Sequence, residues 1–289
     1  MTKILYILLI SFSINAFADG ERHESKEADE DSYGSMCPEE KYGHNVIIVD
    51  TTGPLTDAQY TYMMNMVFDE RLLQSIPPYD RISVLNMTGI DAQASETDFI
   101  FSKCRPRSGN KESTHELDAA TFFGAPKAVL QKQTRIFNKR LSDSLKSLRY
   151  EEIDGEKTDK RMGEYTQLIE QLKELSRLPN LMFDDSYEYR NLVIVSDLIQ
   201  YSKRLNLYPS CRNNKQCITW NDFKNKSENK LWIRGIMPKF GKDKPNVKIV
   251  YLNSKNDPML NIGLLEFWYG YFSDLGIEFD YEFETIEFK

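Results

Sequence analysis

The chain has 289 residues, with 37 Lys and Arg against 44 Asp and Glu, and a formal net charge of −7. That balance speaks against a nucleic-acid partner, because duplex binding needs a concentrated basic face. No stretch approaches the ~18 consecutive apolar residues that a membrane-spanning helix requires, and the length suits one large α/β domain or two small ones.

The first residues read as a signal peptide. Lys3 gives a positive start, Ile4 to Phe12 form a short apolar core, and Ala16-Phe17-Ala18 is a small-x-small cleavage site before Asp19. Residues 1–18 are therefore expected to be removed. No cysteine lies near the cleavage site, so no lipid anchor is expected. The mature chain is placed in the periplasm or outside the cell. Residues 19–40 form an acidic leader, almost entirely charged from Glu21 to Asp31, with too few apolar residues to bury, and are expected to be disordered. The remainder, 41–289, shows no internal repeat or linker and is read as one domain.

Four cysteines in an exported chain point to disulfides. Cys211 and Cys217 enclose a short polar loop and form the local pair. Cys37 and Cys104 remain, tying the N-terminus to a neighbouring strand. A zinc site lacks support: no CxxC occurs, and His23, His44 and His115 stand at no ligand spacing.

Taken in order, the elements alternate. Asn45 to Asp50 is a short apolar run of the kind buried on both faces of a sheet. A helix follows over about 56–75, with Thr56 as its cap and Tyr60, Met63, Met64, Val67 and Leu72 at helical spacing. Pro77-Pro78 stops it. Residues 81–87 and 98–103 read as strands, and 105–113 as a polar loop. Two long helices are predicted over about 125–149 and 160–177, separated by Asp154-Gly155. The second buried strand, 191–196, leads into a disulfide-bearing excursion over 203–225. A strand over 247–252, a helix starting near Pro258 and an alternating strand over 277–283 complete the chain. Strands alternating with helices imply a doubly wound, mostly parallel α/β sheet flanked by helices. The aromatic run Phe267 to Phe272 and the methionines Met63, Met64 and Met66 are expected in the core rather than on a sticky surface. The basic cluster from Lys224 to Lys244 is interleaved with Glu228 and Asp243 and reads as a solvated face.

Two of these strands end in acids. Val49-Asp50-Thr51-Thr52 closes the first, and Val195-Ser196-Asp197 closes the later one. Ligands of open α/β sheets gather beyond the carboxyl ends of strands. Asp50, Thr52, Thr56, Ser196 and Asp197 are hard oxygen donors, suited to Mg²⁺, with Mn²⁺ or Ca²⁺ as alternatives. Equally, an acid followed by a threonine at a strand's end caps the next helix or orders the turn, and at this point both uses stand open.

The apolar strand ending in Asp50 with its hydroxyls, the apolar strand ending in Ser196-Asp197 and the strand–helix alternation resemble the von Willebrand factor type A domain. That family builds a metal-ion-dependent adhesion site from an Asp-x-Ser-x-Ser loop, a threonine of a second loop and an aspartate of a third. By this resemblance Asp50 and Thr52 take the first two places, while the third falls on Pro54, which has no side-chain donor. Thr56 is offered as a substitute from one turn further on. Asp197 matches the late aspartate, and Ser176 is the candidate for the isolated threonine. The chain is also similar to exported bacterial proteins with an Asp-Thr-Thr-x-Pro-Leu start, a Val-Ser-Asp strand end and a Phe-Trp-x-x-Tyr-Phe helix, here Phe267 to Phe272. The resemblance implies a protein partner that completes the metal's coordination with an acidic group.

Catalysis is not expected. Asp50-Thr51-Thr52-Gly53 departs by one residue from the Asp-Thr-Gly of aspartic proteases, and no second copy exists to share a proton. A haloacid-dehalogenase-like phosphatase needs an acid where Thr52 stands. No Gly-x-Ser-x-Gly, phosphate-cradling glycine loop or well-placed histidine base appears. The alternative to a metal-dependent binder is a metal-independent scaffold or assembly factor of a cell-envelope or secretion apparatus, and a hydrolase stands behind both.

Overall fold

The computed structural model describes residues 37, 42–52, 55–69, 73, 75–87, 99–109, 126–148, 150–153, 156–159, 166–178, 187–211, 217–241, 244–252 and 262–282, all within the unit Ser35–Lys289. The proposed signal peptide, the leader apart from Cys37, Pro54, His23 and His115 lie outside these residues.

The first apolar run becomes β1, His44–Asp50, with every residue buried. A strand with no polar face can sit only at the centre of a sheet covered on both sides. β1 pairs in parallel with β2, Arg81–Met87, on one flank and with β6, Arg190–Ser196, on the other. β3, Phe99–Cys104, adds antiparallel to β2. β7, Asn246–Tyr251, and β8, Phe279–Glu282, extend the sheet in parallel beyond β6. The order is β3-β2-β1-β6-β7-β8. The fold is thus α/β with a mixed, mostly parallel sheet.

The period-two alternation of β1 sends its side chains into two cores. Ile47 and Val49 pack with Tyr62, Met63 and Phe68 around α1, Asp57–Val67, and with Phe137, Leu141 and Leu145 of α2, Lys127–Lys146. Val46 and Ile48 pack on the other face. There they meet Leu168, Ile169, Leu172 and Leu175 of α3, Leu168–Leu175, with Phe267, Trp268, Tyr271 and Phe272 of α7, Ile262–Asp274. Between β6 and β7 the chain forms the short helices α4 (Tyr208–Cys211), α5 (Trp220–Asn225) and α6 (Lys230–Ile236). Fully burying a side chain of Ile or Phe size stabilises by roughly 1.5–3 kcal/mol, so these two cores hold the sheet. The aromatic run is core as expected, with Phe267, Trp268, Tyr271 and Phe272 all at 0 % exposure and only Tyr269 of that run facing solvent, at 63 %.

Both disulfides form as paired from the sequence, Cys37–Cys104 and Cys211–Cys217. Among the described residues no helix is long and apolar enough to cross a membrane.

Three expectations need correction. The helix predicted from 160 begins only at Leu168, and the chain before it holds a hairpin, β4 (Tyr150–Ile153) against β5 (Glu156–Asp159). Asp154-Gly155, expected to separate two helices, lies outside the described residues. The first helix ends at Val67 rather than near 75. His44 belongs to β1 instead of preceding it, and its Nε2 pairs with Ser83 Oγ at 3.0 Å.

At the end of the sheet opposite the strand tips, Asp80 locks the strands. It accepts from the Gly43 N–H (2.9 Å), from Asn45 Nδ2 (3.3 Å) and from the Tyr189 hydroxyl. Asn191 bridges onward, donating to Asn45 (2.8 Å) and accepting from Asn246 (3.1 Å), so one polar row crosses β7, β6 and β1.

Candidate functional site at the strand tips

The strand order reverses between β1 and β6. From β1 the chain proceeds outward to β2 and β3 on one side, and β6 starts the progression to β7 and β8 on the other. The crevice beyond the carboxyl ends of two such strands is where open α/β sheets bind ligands. β1 ends there in Asp50 and β6 in Ser196, one register step past the Val49–Val195 pair. Asp50 follows Val46 and Ile48 on one face, and Ser196 follows Leu192 and Ile194 on that same face. The two side chains therefore meet, and Ser196 Oγ donates to Asp50 Oδ2 at 2.7 Å.

The other carboxylate oxygen, Asp50 Oδ1, accepts from the Thr52 N–H at 3.0 Å and from Thr52 Oγ1 at 2.7 Å. Thr52 Oγ1 also lies 2.8 Å from Thr166 Oγ1. Because the single Thr52 hydroxyl proton is committed to Asp50, Thr166 is the donor of that contact. Thr166 precedes α3, and its carbonyl accepts the Tyr201 N–H at 2.7 Å, which ties it to the segment after β6. That segment also caps α3: Gln167 makes no side-chain cap, and Gln200 Oε1 accepts the Ile169 N–H at 3.1 Å. Asp197 completes the group, its Oδ1 accepting the Ile199 N–H at 3.0 Å.

Asp50, Thr52, Ser196 and Asp197 are thus brought to one place. Thr56 is engaged elsewhere: it caps α1 in a capping box, its Oγ1 accepting the Gln59 N–H (3.2 Å) while Gln59 Oε1 accepts the Thr56 N–H (2.9 Å). Ser176 stands at the far end of α3, donating to the Lys173 carbonyl (2.7 Å) and accepting from the Lys239 N–H (2.9 Å). The hydroxyl from a second loop is Thr166, which sequence reasoning missed because the predicted helix ran straight through it. The available signal was the amphipathic run starting at Leu168, which leaves Thr166 just outside the first turn.

Burial raises the affinity of both acids for protons. Asp50 is 7 % exposed, and desolvation pushes its carboxyl above the ordinary range despite its bonds from Ser196 and Thr52. Asp197 is pushed up to about 7, first by desolvation and then by the Asp50 charge, with the Ile199 N–H opposing. Among the described residues no cationic side chain acts on either acid. Among the described residues no three His, Cys, Asp or Glu side chains come together as a metal cluster, so the donors here are two carboxylates and three hydroxyls. Hard oxygen donors of this kind suit Mg²⁺, Mn²⁺ and Ca²⁺ better than zinc.

The Ser-His pair invites a catalytic reading, but His44 and Ser83 are both fully buried at the start of their strands, and Ser83 Oγ continues to Ser102 Oγ at 2.9 Å. This is an internal polar row of the sheet. Compared with known proteins, the chain matches no family model and no curated protein.

Proposed function

We propose that this chain is an extracytoplasmic protein-binding domain, von Willebrand A-like in organisation, that works through a divalent cation of the Mg²⁺ type at the tips of β1 and β6. The observation that carries this reading is the pair Asp50 and Asp197, both desolvated, with no cationic side chain acting on them among the described residues, and grouped with Thr52, Thr166 and Ser196. Asp50 is the principal acid, Thr52, Ser196 and Thr166 are the hydroxyl donors, and Asp197 acts directly or through water. When bound, the ion supplies the missing positive charge and an open coordination position for an acidic group of a protein partner. Pro54, where the resembled motif has a further donor, leaves that place to water or the partner. The two disulfides fit an oxidising compartment. The test is calorimetric titration of the oxidised protein with Mg²⁺, Mn²⁺ and Ca²⁺ beside Asp50→Ala. Binding of about one ion per chain, lost in a variant that stays folded, is the expected result. Absence of binding for all three ions refutes it.

A second reading is favoured by one observation. Asp50 already accepts three hydrogen bonds, so the network is also complete as a lock on the strand ends. On that reading the domain is a scaffold or assembly factor of a cell-envelope or secretion apparatus that binds without metal. Chelation abolishes partner binding in the first case and leaves it intact in the second.

A further inference from the structure

The segment after β6 carries Ser196 and Asp197 and then turns through Leu198 at φ 62°. That left-handed conformation is rare for a non-glycine residue and is kept only where the surroundings over-determine it. Leu198 is fully buried, so the turn is held from inside. Two of its restraints are local: the Leu198 N–H donates to Ser196 Oγ (2.8 Å), and the Leu198 carbonyl accepts the Gln200 N–H (3.0 Å). A third comes from the opposite end of the sequence. Trp268 of α7 donates its indole Nε1–H to that same carbonyl at 2.8 Å, across 70 residues.

We propose that Trp268 is a positioning residue for the strand-tip site: its indole N–H fixes the Leu198 carbonyl, and with it the left-handed turn that presents Asp197 beside Asp50. This rests on the cation reading for its purpose, though not for its geometry. Core packing alone does not explain the contact, and Trp220 makes the comparison possible. Trp220 is equally buried, at 1 % exposure, and belongs to the same aromatic cluster, with ring contacts to Phe267 and Tyr271. Its indole N–H ends on Asp274 Oδ2 at 2.7 Å, a side chain at the last residue of α7. Two buried indoles of one core thus have different destinations, and only one reaches the site segment.

The experiment compares Trp268→Phe with Trp220→Phe in the full-length oxidised protein. Amide hydrogen exchange is read at Leu198 and Ile199 without metal, and Mn²⁺ affinity is read by calorimetry. Trp268→Phe is expected to speed exchange at both amides and weaken Mn²⁺ about tenfold, the usual size of an outer-shell effect on a metal site. Trp220→Phe should leave both readings within twofold while still lowering the melting temperature. Equal behaviour of the two variants at Leu198 and Ile199 overturns the proposal. If Trp268→Phe fails to fold, benzothienylalanine at 268 keeps the ring's shape and deletes only the donor. Should the wild type bind no Mn²⁺, the cation reading falls, and the exchange comparison still decides whether Trp268 holds the turn.

Discussion

Raising the pH in the presence of a chelator should destabilise this protein through Asp197. The folded state holds the Asp197 proton up to about pH 7, whereas the unfolded chain releases it near 3.8. The stabilisation from this group is therefore fully present below pH 4 and lost as pH rises through 7. About three pH units at about 1.4 kcal/mol each set a ceiling of about 4 kcal/mol. Asp197 is partly exposed, and solvent screening reduces that to about 1–2 kcal/mol. For a domain of this size each kcal/mol shifts the melting temperature by about 2–4 °C, so a fall of roughly 2–8 °C between pH 4 and pH 8 is expected. Asp80 is raised in the same direction by burial and adds a background of the same sign. The diagnostic quantity is thus the difference between wild type and Asp197→Asn, measured by thermal melts in chelator across that range. The wild-type slope should exceed that of Asp197→Asn, and Asp50→Asn should also flatten it, because it removes the raised Asp50 carboxyl together with the second cause of the Asp197 shift. Millimolar Mg²⁺ at pH 8 should restore the wild type and leave both variants unmoved. Identical slopes for wild type and Asp197→Asn would refute the account of two like charges held together.

Thr166→Ala should weaken Mn²⁺ binding about tenfold in a calorimetric titration while costing only about 1 kcal/mol of stability, the worth of one hydrogen bond. Thr56→Ala removes the capping box and should cost about 1 kcal/mol in chemical denaturation with cation binding unchanged. Asp80→Ala leaves Gly43, Asn45 and Tyr189 without their common acceptor; denaturant melts should show a loss of about 2–4 kcal/mol, again with no change at the strand tips. Replacing both Cys37 and Cys104 by serine opens a loop of 67 residues and should lower stability by about 4 kcal/mol on the chain-entropy account, seen as a matching shift in urea midpoint.

The strands were legible because burial on both faces leaves a plain trace. His44–Asp50 and Arg190–Ser196 differ from the sequence reading by a single residue at their starts. Both disulfides followed from export and spacing. The acids at the strand ends were legible for the same reason, since a charge that ends an apolar run can only emerge where the sheet stops. Thr166 was not, because nothing local distinguishes it from other hydroxyls in a polar stretch. Its place depends on a contact with Thr52 across 114 residues. The strands Tyr150–Ile153 and Glu156–Asp159 were not legible either, because they are short and polar and only their mutual pairing marks them.

The sequence by itself determined the alternation of buried strands with amphipathic helices, the disulfide partners, and the acids at the ends of β1 and β6. Apolar periodicity and residue chemistry are local properties, and they are written in the chain. Only the tertiary structure decided that β1 and β6 are neighbours, that Asp50 meets Ser196 one register step past Val49 and Val195, and that Thr166 joins them. It alone shows that Trp268 reaches back to hold Leu198 in a left-handed turn. Those facts depend on which distant segments share a buried surface, and one segment's periodicity carries no record of its partner's register.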